Sequence, residues 1–122
     1  MNKINSYRDL HVYKKAHLLV IEIYKTTKNF PVDERFGLID QMRRSSVSVT
    51  SNIAEGFARL TAKDKSNFYS IARGSLFELS SQLAISKDLG YISENKLNEF
   101  DVEAEEISRM IIGLMKSAKN YI

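Results

Sequence analysis

Apolar residues recur three or four positions apart along almost the whole chain, the repeat of amphipathic helices rather than the alternation of strands. Val12, Ala16, Leu19, Val20, Ile23 and Thr27 form one such stripe, edged by Tyr13 and Tyr24, and predict a helix over about 7–28 with Asp9 as its first-turn acid. Pro31, the only proline, ends that helix and suits the first turn of the next, where Asp33 and Glu34 follow. The second helix is expected over 32–59, with Met42, Val49, Ile53 and Phe57 on its apolar face. Its β-branched run Val47–Thr50 would suit a strand in isolation, but segment length and the flanking 3.6-residue period decide for helix.

Thr61 and Asp64 have capping-box spacing, which starts a third helix over 62–89. Phe68, Ile71, Ala72, Ser75, Leu76, Leu79, Leu83 and Ser86 are its expected core face, and Gly90 its C-terminal cap. Ser93 caps a fourth helix over 93–121, whose Leu97, Phe100, Ala104, Ile107, Ile111, Leu114, Ala118 and Tyr121 alternate gaps of three and four like a coiled-coil seam. Four long helices joined by short turns predict an all-α domain over 1–122, an antiparallel up-down-up-down four-helix bundle.

Two faces carry more than a bundle core and a solvated exterior require. On helix 2, Gln41, Arg44, Ser45, Ser48, Asn52, Glu55 and Arg59 share a polar face of small, amide-bearing and arginine side chains. On helix 3, Tyr69, Arg73, Phe77 and Ala84 fall opposite the expected core face, and aromatics on an outward stripe suggest a contact outside the monomer. Ser45, Ser48, Asn52, Glu55, Tyr69, Arg73 and Phe77 are therefore the expected seam that sets register between helices or between subunits. Glu55 is expected to pair with Arg73 or Arg44, within the chain or across a subunit boundary, and Gly56 and Gly74 to permit close helix approach.

Composition adds mostly exclusions. The absence of cysteine removes disulfides, thiolate nucleophiles and thiolate-ligated zinc. No apolar run approaches the roughly 18 residues of a membrane span, and the N-terminal stretch has no apolar core of a signal peptide, so a cytoplasmic protein without membrane contact is expected. The net charge of +3 is unevenly spread: residues 1–31 carry +4 and residues 93–122 carry −2. A basic first helix and an acidic last one would attract each other as neighbours.

The same basic residues suit nucleic acid. Lys3, Arg8, Lys14, Lys15, Arg43, Arg44 and Arg59 are the candidate phosphate contacts, with Tyr7 and Tyr13 available for stacking. No groove-reading motif is present, so binding without sequence readout of RNA or DNA is expected, strengthened by repetition in a homo-oligomer. The competing expectation is a scaffold that presents its surface to a larger protein partner, charge only steering the encounter. An enzyme is not expected. His11 and His17, six residues apart, point about 240° apart on a helix and cannot share a metal, and no phosphate-binding glycine loop occurs. No catalytic residue, metal or cofactor is assigned.

Three phrases, DLHVYKKAHLL, YKTTKNFPVDERFGLIDQMRRSSVSVTSNIAEGFAR and FYSIARGSLFELSSQL, together resemble the family named after the 23S rRNA intervening-sequence protein. The resemblance runs over about residues 8–91 and is most specific in RRSSVSVTSNIAEG. It implies a small bacterial four-helix protein that tends to form ring-like homopentamers. Some members are encoded within rRNA intervening sequences, and a related branch assists reverse transcriptases of diversity-generating retroelements, where nucleic-acid binding is implicated. Arg43, Arg44, Ser48, Asn52, Glu55, Gly56, Arg59, Arg73, Gly74 and Ser75 occupy its motif positions, to which the resemblance assigns no catalytic role. Position 13 is Tyr where Trp is commoner, which preserves an aromatic packing role.

Overall fold

A computed structural model describes residues 3–120, and Tyr121, expected to close the fourth seam, lies outside the described residues. Four α-helices make the domain: α1 (His11–Thr27), α2 (Leu38–Ala58), α3 (Ala62–Asp88) and α4 (Glu94–Ala118). Among the described residues there is no strand. Contacts between α2 and α3 and between α1 and α4 run in opposite senses, compatible with antiparallel neighbours. Ser45 and Ser48 of α2 meet Glu78 and Ser75 of α3 respectively, and Lys15 and Glu22 of α1 meet Glu106 and Lys96 of α4.

The first two helices begin later than their periodicity predicts. Ser6 and Asp9 close a capping box around a single 3-10 turn, Tyr7–Asp9, in which the Ser6 hydroxyl accepts from the Arg8 amide and Asp9 accepts from the Ser6 amide. Leu10 is then extended, and only His11 starts α1. The prediction that helix 2 starts at 32 is likewise corrected. Val32–Glu34 form another isolated 3-10 turn, and the chain redirects at Gly37 before Leu38 begins α2. The physical reason is burial: Val32 and Phe36 are 74% and 84% exposed, so that stretch has no apolar face to hold it against the bundle.

Helix ends follow their expected chemistry more closely. Thr61 accepts from the Asp64 amide and Ser93 from the Lys96 amide. At the end of α3, Gly90 has φ +80°, its amide donates to the Lys87 carbonyl and the Tyr91 amide to the Ser86 carbonyl. That double closure satisfies carbonyls the last turn would otherwise leave open, and glycine adopts the left-handed backbone without a Cβ penalty.

The core is one continuous cluster. Val12, Ala16, Leu19 and Ile23 from α1 meet Met42, Val49 and Ile53 from α2, Leu76, Leu79 and Leu83 from α3, and Phe100, Ile107 and Ile111 from α4. On α3 the buried residues are Lys65, Tyr69, Ala72, Leu76, Leu79, Gln82, Leu83 and Ser86, so the expected face holds from Ala72 onward and is shifted in the first turns. Tyr69, expected outward, is 3% exposed, whereas Ile71, expected in the core, is 52% exposed. Tyr69 goes inward because Gly56 leaves room for its ring: a Cβ at Gly56 would lie 2.6 Å from Tyr69 Cε1 and 3.2 Å from the Lys65 carbonyl oxygen.

Candidate nucleic-acid interface

The polar stripe of α2 is mostly consumed within the chain, partly against α3 and partly along α2 itself. The Ser45 hydroxyl donates to Glu78, the Ser48 and Ser75 hydroxyls share a hydrogen bond of 2.7 Å, and the Asn52 amide donates to the Ser48 carbonyl and hydroxyl. Small side chains at these positions let two helices lie close with their polar groups satisfied. Ser45 and Ser48 thus join α2 to α3, while Asn52 closes onto its own helix. Within the chain Glu55 pairs with neither Arg73 nor Arg44 but with Arg59 one turn on, at 2.9 Å, because i,i+4 neighbours on one helix are closest. Arg44 pairs likewise with Asp40 at 3.0 Å. Arg73 donates to the Ser108 hydroxyl across α3–α4 and lies over the Phe77 ring.

Lys65 was not singled out by sequence, since a lysine in a first helical turn ordinarily faces solvent. Its side chain folds back onto the end of α2, where the ammonium donates to the Phe57 carbonyl at 2.8 Å and the Gly56 carbonyl at 3.4 Å. Those are last-turn carbonyls at the negative end of the α2 dipole, of which that of Gly56 also accepts from the Arg59 amide. Burial lowers the Lys65 pKa from its ordinary value and raises that of Tyr69 beside it. The signal that could have found Lys65 is its register with Tyr69, Ala72 and Leu76.

The seven basic candidates separate into four places. Lys15 faces α4 and pairs with Glu106 at 3.1 Å, as attraction between a basic α1 and an acidic α4 predicts. Arg43 and Arg44 lie beside the C-terminal half of α1: the Arg43 guanidinium donates to the Thr27 hydroxyl and Tyr24 carbonyl and stacks 4.5 Å over the Tyr24 ring. Lys3, Arg8 and Lys14 are exposed at the N-terminal end of the α1 region. Arg59, at the other end of α2, is held by Glu55 and stacks 4.4 Å over Phe68.

At that N-terminal end the aromatics assemble. Tyr7 and Tyr13 meet edge to face at 4.8 Å, the His17 ring lies 6.0 Å from Tyr13, and the Arg8 guanidinium sits 4.8 Å over Tyr7. Arg8, Tyr13, Lys14, His17 and Leu18 line an open cleft of about 370 Å³. Among the described residues, Arg8 and Lys14 have no acidic partner within ion-pair distance. Cations without acid partners beside rings form a surface that attracts phosphate and offers planes to bases.

No helix among the described residues is long and apolar enough to cross a membrane. The comparisons with known proteins concern the same framework. A crystal structure of a protein of unknown function from the S23 ribosomal protein family of Bacteroides thetaiotaomicron superimposes with a TM-score of 0.79, covering 86% of this chain and 95% of that one. At 23% sequence identity the likeness concerns the fold. No curated protein matches the chain. The model of the 23S rRNA-intervening sequence protein family matches residues 8–113, which take in α1, α2, α3 and most of α4, and the chain belongs to that family.

Proposed function

We propose that this protein is a non-enzymatic, homo-oligomeric helical bundle that binds nucleic acid without sequence readout through the N-terminal end of α1. The observation that carries this reading is the cleft of Arg8, Tyr13, Lys14 and His17, in which two cations have no acid partner among the described residues and stand beside a cluster of rings. Phosphate neutralisation supplies affinity and releases counterions, so binding falls steeply with salt. Fluorescence anisotropy with labelled RNA and DNA tests it. Both bind at low salt and are lost as salt rises, and no binding in low salt overturns the reading.

Assembly belongs to the same proposal, because repetition multiplies a patch that is small on one copy. The outward surface of α3 supports it: Ile71, Phe77 and Ile85 are 52%, 55% and 47% exposed, and Gly74 between them has no neighbouring atom within 4 Å of where a Cβ would stand. Among the described residues nothing within the chain explains the small residue there. A neighbouring copy packed closely against α3 would, and a five-membered ring is the assembly expected. Replacing Ile71 and Ile85 together with Lys is expected to reduce the native mass by light scattering to that of one chain with helicity retained. An unchanged mass would contradict the use of this face.

A further inference from the structure

The second cluster of arginines, at the C-terminal half of α1, has no role in the cleft just described. Tyr24, Asp40, Arg43, Arg44 and Ser51 line an open groove of about 570 Å³ between α1 and α2. Tyr24 is 38% exposed and carries the Arg43 guanidinium against its ring, so aromatic and cationic planes are presented together. Arg43 is held in place by Thr27 and the Tyr24 carbonyl, whereas the Arg44 side chain is 80% exposed and turned toward Asp40.

Position along α1 connects the groove to the N-terminal cleft. Tyr13 and Tyr24 are eleven residues apart, which at 100° per residue returns within about 20° of the same face and at 1.5 Å per residue separates them by about 16 Å. His17 lies between them on that face. The acids of α4 are engaged on the other side of α1, where Glu106 pairs with Lys15. One long side of α1 thus carries rings and cations at both ends, over the length of about five nucleotides stacked at ~3.4 Å each.

Resting on the nucleic-acid reading above, we propose that the α1–α2 groove is a second subsite for single-stranded polynucleotide: a base stacks at Tyr24 and Arg43 while an adjacent phosphate takes Arg44 from Asp40. A duplex keeps its bases paired and stacked inside and offers this face phosphates alone. A single strand can offer base planes as well, and ring stacking tolerates any base. Asp40 is then a competitor for the phosphate, and its charge sets how readily Arg44 is released.

The test measures anisotropy of labelled single strands, both RNA and DNA, and of a blunt duplex of equal length and sequence at one salt concentration. Wild type is compared with Tyr24→Leu, Tyr24→Phe and Asp40→Asn, each checked for native helicity. The expected result is a single strand, RNA or DNA, bound more tightly than duplex. Tyr24→Leu loses on the order of tenfold on single strands with duplex binding unchanged, Tyr24→Phe retains affinity, and Asp40→Asn tightens both. Equal binding of single strand and duplex with Tyr24→Leu neutral overturns this subsite and leaves nucleic-acid binding standing. Failure of every strand to bind overturns the reading it rests on.

Discussion

Gly56 shows how much a single missing methyl group can set. Alanine is the better helix former by about 1 kcal/mol, but here its Cβ would collide with the Tyr69 ring and crowd the Lys65 carbonyl. Overpacking of that kind costs ~1–3 kcal/mol, so Gly56→Ala is expected to lower the unfolding free energy by about 1 kcal/mol in a urea titration, and an unchanged or raised midpoint would contradict the packing argument. The sequence marks Gly56 as a place for close approach, and that is how it acts. Gly74, marked for the same reason, approaches nothing within its own chain. The periodicity could not distinguish them, because what differs is the residue on the facing helix. Lys65 and Tyr69 were hidden for a related reason: charge and an aromatic edge argue for the surface until the end of α2 supplies carbonyls and the glycine supplies space.

At the level of elements, the four helices were legible because each has a long 3.6-residue stripe, and the caps at Thr61, Ser93 and Gly90 are chemical signals that need no partner. The starts of α1 and α2 were not, because a 3-10 turn and a helix share the same local composition and only burial separates them. The polar stripe of α2 was legible as a seam, but its partner on α3 was not. The α1–α4 pairing has a measurable consequence. Lys96 donates to Glu22 at 2.7 Å, which holds the Glu22 carboxyl below its ordinary value and Lys96 above its own. A lowered carboxylate contributes stability above the unfolded value of about 4.3, and that stability is lost as pH falls through the folded value. The raised lysine loses its contribution only at alkaline pH. Both groups are about a third exposed or more, so the effect stays within ~1 kcal/mol. Glu22→Gln is therefore expected to flatten the acid side of the stability profile, below about pH 5, in denaturant titrations. A profile superimposable on wild type would contradict the pairing.

For the whole molecule, charge distribution matters more than the small net charge. Along one side of α1, Lys15 meets Glu106 of α4 and Glu22 meets Lys96 of α4, while Arg8 and Lys14 stand on the surface away from acid partners among the described residues. Of the seven basic residues read from the sequence, Arg44, Arg59 and Lys15 carry carboxylate partners; the first two pair with i,i+4 neighbours that spacing along one helix can show, whereas the pairing of Lys15 across helices cannot be read from one dimension. What remains is an all-helical scaffold with a cationic, aromatic side to α1, and its proposed task rests there. The direct measurement is the slope of log affinity for a labelled single strand against log salt, for wild type and for Arg8→Ala/Lys14→Ala. The account predicts measurable binding at low salt and, per chain engaged, a slope shallower by about 1.4 in the variant, two contacts at ~0.7 each for a single strand, with helicity unchanged. A variant whose affinity and slope equal those of wild type would contradict it.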